Sequence, residues 1–359
     1  MILYSIIILY TLCLAYIYSH LKTRKWVKAG NRFFSPVNML WFLAMVLPAT
    51  LVMGFRYGIS IDYPIYINGF YKVVRGEYTL SETGFQYFEK LCALISGNEP
   101  WSLFLLSSLI TVICFFLSFR RSANYLFSAA LFFGVGIYFD AFNGVRQYIV
   151  VAIFVIMYQA IEEGNWKKYY LLNALCVLIH TSALLLAPLY FLTRVKINKY
   201  WVLVIAALML VFKGNLVSLI TRIMARFPKY NAYLLRNTLG RQINFSTSGL
   251  VFAIISVIPC IINEKRMEQT GEGRFLFSLM HIGLILAVSS SFLPFAERLL
   301  YYTRGYMPIA IPYACSLFTG KRRTLSEYVI SGMTLGMTII GIVMLNWYAV
   351  LPYQSIFTR

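Results

Sequence analysis

Arg146 and Gln147 stand where an apolar chain has little reason to place them. Leu126 to Tyr138 and Tyr148 to Ile161 are both apolar, and the break between them reads Phe139-Asp140-Ala141-Phe142-Asn143-Gly144-Val145-Arg146-Gln147. A charge beside hydrocarbon costs at least ~2 kcal/mol unless it is paired or wetted, so it marks a functional site by default. A guanidinium there points to an anionic ligand; an ion pair with Asp140 is the structural alternative. The run Phe55-Arg56-Tyr57-Gly58-Ile59-Ser60-Ile61-Asp62-Tyr63-Pro64-Ile65-Tyr66 turns through glycine and proline while presenting an arginine, a carboxylate and tyrosines. Its alternative is a capped loop in which Asp62 neutralises Arg56. Ser81-Glu82-Thr83-Gly84-Phe85 fits a helix start capped by Ser81. Glu297-Arg298-Leu299-Leu300-Tyr301-Tyr302-Thr303-Arg304 adds two arginines, one of which Glu297 can neutralise.

These residues have to be positioned by a membrane bundle. With 60% apolar and 13% charged residues, the chain is a series of long apolar runs and short polar breaks, the pattern of an all-α polytopic integral membrane protein. About ten to eleven transmembrane helices are expected in a single polytopic domain covering 1–359. They run near Ile2 to Ser19, Val37 to Gly54, Trp101 to Phe119, Tyr125 to Tyr138, Tyr148 to Ile161, Tyr169 to Phe191, Tyr200 to Ile220, Ser248 to Ile262, Phe275 to Phe292, Gly305 to Phe318 and Tyr328 to Trp347. Residues 55–100 form a large outer loop.

Lys and Arg in the breaks set the orientation. Lys22 to Arg32, Arg120, Arg121, Lys167, Lys168, Arg194, Lys196, Lys199, Lys265, Arg266, Arg274 and Lys321 to Arg323 define the cytoplasmic face. Keeping both Lys168 and Arg194 inside requires Tyr169 to Phe191 to be a re-entrant or broken hairpin, since each half is too short to cross. His180-Thr181-Ser182 is then a buried apex. One long helix with His180 as a core residue is the other possibility.

The net charge of +19 does not imply nucleic acid, because basic loops follow from topology and anionic lipid. Outer charges such as Arg56, Arg146, Arg298 and Arg304 are the informative ones. Residues 217–247 form an outer basic amphipathic segment: Arg222, Arg226 and Lys229 recur at helical spacing opposite Leu219, Ile220, Ile223, Met224 and Phe227. It suits membrane lipid or a substrate role, and Tyr230 and Tyr233 suit an interface belt or a sugar platform. The cysteines form no C-x-x-C, so neither a disulfide framework nor a metal site is expected. Met1 to Tyr10 lacks a basic start, so the first span reads as a retained anchor.

The ordered set Gly58 with Asp62-Tyr63 and Tyr66, Glu82 with Gly84-Phe85, Phe142 with Arg146-Gln147, His180 with Ser182-Ala183-Leu184, and Arg298 before a tyrosine-rich span resembles the EpsG family of Wzy-type polysaccharide polymerases. The likeness covers about Phe55 to Tyr306, with Ile61 where the family has a small or hydroxyl residue. It implies a glycosyltransferase on the outer face of the bacterial cytoplasmic (inner) membrane. Such an enzyme joins undecaprenyl-pyrophosphate-linked oligosaccharide repeat units for O-antigen, capsule or exopolysaccharide. No cofactor is implied. Possible partners are a flippase and a chain-length regulator. In those terms Arg146, Arg298 and Arg304 hold pyrophosphate, while Arg56, Tyr63, Tyr66, Gln147 and Tyr302 contact pyrophosphate or glycan. His180 is the first choice of base and Asp62 the second. No D-x-D occurs, so arginine takes the place of a metal and activity should resist chelation. An O-antigen ligase, a lipid-linked oligosaccharide flippase and a nonenzymatic assembly scaffold are the alternatives.

Overall fold

Aliphatic and aromatic runs with few charges fold as helices in a bilayer, because each segment then satisfies its own backbone polar groups. The computed structural model describes residues 1–23, 36–226 and 247–358; it is helical, with no strand among the described residues and one isolated bridge between Arg56 and Ser355. Two compact units are present, Met1–Tyr190 with Met307–Arg359, and Phe191–Tyr306.

Among the described residues six helices are long and apolar enough to cross a membrane: Ile2–His20, Val37–Gly54, Trp101–Arg121, Val145–Glu162, Gly271–Ser290 and Lys321–Leu345. A seventh results if Lys199–Val211 and Lys213–Ile223, bent by 80°, make one span. The count is below the expected ten to eleven because several apolar runs are interrupted. Gly136, at φ +78°, separates α6 (Tyr125–Gly134) from the single turn α7 (Ile137–Asp140), and a Cβ at Gly136 would run into the Tyr348 hydroxyl. The helix expected from Gly305 begins instead at Pro294 and carries Glu297, Arg298 and Arg304 within it.

In the first unit α1 (Ile2–Thr23), α2 (Pro36–Gly54) and α5 (Trp101–Ser118) are long apolar helices, and the stretch 55–100 between α2 and α5 is itself largely helical. It holds α3 (Tyr63–Val74) and α4 (Thr83–Ser96). Together with α5 and α8 (Val145–Ile156) they bury Phe70, Phe85, Cys92, Ala93, Leu103 and Ile149 as one apolar cluster. After the turn α9 (Tyr158–Glu162), α10 (Trp166–Ile179) ends at His180 and the chain turns back as the 3-10 segment Thr181–Thr193. The reversal is held by Tyr169, whose hydroxyl donates to the Leu186 carbonyl (2.7 Å), and by Asn173, whose amide donates to that of Ala183 (2.8 Å). The end of the chain packs beside the polar breaks: Asn143 accepts the Ile61 N–H (2.8 Å) and donates to the Tyr348 carbonyl (2.8 Å).

The second unit contains α11 (Lys199–Val211), α12 (Lys213–Ala225), α13 (Thr247–Ile262), the turn α14 (Glu264–Met267), α15 (Gly271–Ser290) and the start of α16 (Pro294–Ser316). Lys199 pairs with Glu264 at 2.5 Å, and Arg274 donates to the carbonyls of Thr193 and Glu268, both at 2.8 Å. Of the amphipathic segment expected at 217–247, α12 supplies a helix that starts earlier and exposes Leu219, Arg222 and Ile223. Lys229, Tyr230 and Tyr233 lie outside the described residues. The helix α17 (Lys321–Leu345) belongs to the first unit.

Candidate functional site

Gly144 is the N-cap of α8, so Arg146 and Gln147 belong to its first turn rather than to the break before it. A cation there faces the positive end of the helix dipole. The opposing charge comes from Glu82: Arg146 Nη1 donates to Glu82 Oε2 at 2.7 Å, across 64 residues, where the sequence alone offered Asp140. The guanidinium lies 5.5 Å from the Phe85 ring centre, and the Arg146 backbone N–H donates to the Tyr66 hydroxyl at 3.4 Å. Arg146 keeps 27% of its side-chain surface exposed and Glu82 12%, so the pair sits at an accessible edge.

Glu82, not Ser81, is the N-cap residue of α4, and its side chain makes no capping bond. It turns instead to the end of α10. Glu82 Oε1 accepts from the Thr181 hydroxyl (2.6 Å) and the Thr181 N–H (3.1 Å), and His180 Nδ1 stands 3.4 Å away, at ion-pair reach. Burial works to raise the Glu82 carboxyl, but His180, Thr181 and Arg146 outweigh it and hold the group well below the usual carboxylate range. Gly84 makes this approach possible: a Cβ there would lie 2.6 Å from the Leu178 carbonyl oxygen, closer than any side chain tolerates.

Among the other expected residues, Tyr66 joins the cluster through Arg146, and Tyr63 stacks on Phe104 at 4.7 Å. Asp62 is the N-cap residue of α3, half-buried, and Gln147 is buried. Arg56 takes an internal position at 1% exposure. Its guanidinium donates to the carbonyls of Met53 and Phe142 and lies over the rings of Phe104 (4.4 Å) and Phe142 (5.1 Å). Burial lowers its pKa to about 10, so it stays charged at neutral pH; the geometry makes it a strut between α2 and the polar break. In the second unit Arg298 is exposed on α16, while Tyr302 and Arg304 are buried, the Arg304 guanidinium lying 5.8 Å from the Tyr301 ring centre. Six positions turn a helix by about 240°, so the two arginines occupy different faces. No group of three or more His, Cys, Asp or Glu side chains among the described residues is placed to hold a metal ion.

The sequence profile of the EpsG family matches residues 39–355. The chain belongs to the EpsG family. This is a family of Wzy-type, polymerase-like membrane proteins, and the matched stretch of this EpsG chain contains every residue of the cluster. No curated protein and no solved structure matches the chain. Arg146, His180 and Tyr66 were expected as site residues; Glu82 entered the sequence reading only as a helix start and a part of the family likeness, and Thr181 only as a neighbour of His180, yet these two join Arg146 to the His180 turn. Glu82 carried a usable signal: it is a carboxylate in a polar run whose capping role another residue could fill.

Proposed function

We propose that this EpsG-family protein is a polysaccharide polymerase. It moves a growing glycan from one undecaprenyl-pyrophosphate carrier to the sugar of another, on the outer face of the cytoplasmic membrane, with the His180 reversal as a re-entrant hairpin. The observation that carries the reading is the Arg146–Glu82–His180 cluster, in which one carboxylate holds both a guanidinium and an imidazole.

Each group has a part in the transfer. The acceptor hydroxyl attacks the anomeric carbon of the donor glycan, and the bond from that carbon to the pyrophosphate oxygen breaks. The electron pair departs with undecaprenyl pyrophosphate, whose growing charge Arg146 stabilises as a planar, permanently charged donor. The hydroxyl proton passes to the free nitrogen of His180. Glu82, 3.4 Å from Nδ1, stabilises the imidazolium that results. Tyr63, Gln147 and Asp62 border this region as glycan contacts, and Arg298, Tyr302 and Arg304 are proposed for pyrophosphate or glycan. A ligase would use the same chemistry with a different acceptor.

Alanine substitution at Arg146, His180 and Arg298, followed by gel analysis of glycan length, tests the proposal. Loss of long chains with single repeat units retained supports a polymerase. Loss of all surface glycan indicates a flippase or ligase, and unchanged ladders leave only a scaffold. Activity that collapses in EDTA and returns with a divalent ion would count against arginine as the charge-stabilising group.

A further inference from the structure

The helix α4 carries a second carboxylate on the face that bears Glu82. Glu89 follows it by seven positions, two turns or about 10 Å along the axis. The side chain is 2% exposed, and its buried Oε2 has no hydrogen-bond partner. Phe85, Cys92 and Ala93, one turn away along α4, belong to the buried apolar cluster. On α3 the residue opposite is Gly69, where even a Cβ would stand 3.7 Å from Glu89 Oε1. An ionised carboxylate is costly in such a niche, whereas a protonated one is tolerated.

Among the described residues around α4, the cation whose charge answers this carboxyl is Arg146. It comes from α8, and its guanidinium lies 5.5 Å from the ring centre of Phe85, one turn before Glu89 on α4. The helix α3 brings Tyr66 and Tyr71, with Lys72 exposed next to Glu77. The turn after α10 brings His180, which faces Glu82, while α5 contributes Leu103 and Leu106. On α4 itself are Glu82, Cys92 and the outward Lys90 over Tyr87. Burial raises the Glu89 carboxyl to about 7, against the pull of Arg146, so its charge turns over near neutral pH.

We propose that Glu89 is a proton-linked positioning residue: an anion that docks on Arg146 binds together with a proton on Glu89, whose ionised form otherwise competes for the same guanidinium. The inference rests on the reading of Arg146 as the pyrophosphate residue. It adds that pyrophosphate engagement weakens as pH rises, through a group that does not touch the ligand.

The test uses the full chain in lipid nanodiscs with geranylgeranyl pyrophosphate as probe, its Kd measured from about pH 6 to pH 9 for wild type and Glu89→Gln. Comparing the two cancels the probe's own titration. The expected result is near-equal affinity at pH 6 and wild-type binding weaker by roughly tenfold at pH 8. A wild-type to variant ratio that stays flat overturns the proposal and leaves the polymerase reading standing. Absence of probe binding to wild type at every pH overturns both. Should Glu89→Gln fail to fold, infrared spectroscopy of the wild type decides: at pH 8 the probe should increase the protonated-carboxyl absorption, and no increase overturns the proposal.

Discussion

Arg146 occupies the second position of α8, where the helix dipole disfavours a cation by about 0.3–1 kcal/mol. Glu82 offsets that cost, and the same carboxylate faces His180 and Thr181. Glu82→Gln keeps the size of the side chain but removes its charge; polymerisation should fall by about 10²–10³-fold as His180 loses its orienting partner. A radiolabelled chain-extension assay measures it. Because the Glu82 carboxyl is depressed in the folded protein, the stability it contributes is fully present above the ordinary carboxylate pKa and is lost progressively as pH falls from there through the lowered value. Thermal unfolding in detergent should therefore show no Glu82-dependent loss between about pH 5 and pH 8. Arg146 and His180 were legible in the sequence because a cation or imidazole against apolar runs is conspicuous. Glu82 was visible as part of the family likeness, but its pairing was not, because its partners lie 64 and 99 positions away and a helix start explains it locally.

The cluster depends on two helix ends meeting. At Gly84 the end of α10 comes so near α4 that Gly84→Ala would force the Leu178 carbonyl away and carry His180 with it. The variant should fold and bind membrane normally yet lose at least about tenfold in chain extension, since a displacement of about 1 Å can cost 10²-fold. Arg56 should behave in the opposite manner. Its removal leaves the buried carbonyls of Met53 and Phe142 without a donor, at about 1–3 kcal/mol each. Arg56→Ala is expected to lower the yield of folded protein and its Tm, with the activity of the surviving fraction largely kept. Arg56 drew notice in the sequence as a cation in a polar break, but its burial is a product of packing between distant helices. A break near His180 was expected from the sequence because Lys168 and Arg194 had to share one side and neither half reaches the ~20 residues that cross a bilayer; the chain does break at His180, between elements of 14 and 13 residues.

At the scale of the whole molecule, composition settles the class and leaves the count open. Apolar content identifies a polytopic α-helical chain, yet breaks such as Gly136 and charged helices such as Pro294–Ser316 reduce the long apolar helices to six or seven among the described residues. The division into two compact units also lay beyond a reading of local patterns. The polymerase proposal requires the Glu82 cluster to open to the outer face. A cysteine at exposed Thr181 in a background lacking the native cysteines should react with an impermeant maleimide added outside intact cells; labelling only after lysis would place the cluster on the wrong side. The most direct measurement uses purified protein in vesicles with defined undecaprenyl-pyrophosphate repeat units, following chain growth and release of undecaprenyl pyrophosphate together. The account predicts both products in the presence of EDTA, both abolished by Arg146→Ala or His180→Ala, and a double variant no worse than either single one. Chain growth that persists in both single variants would contradict it.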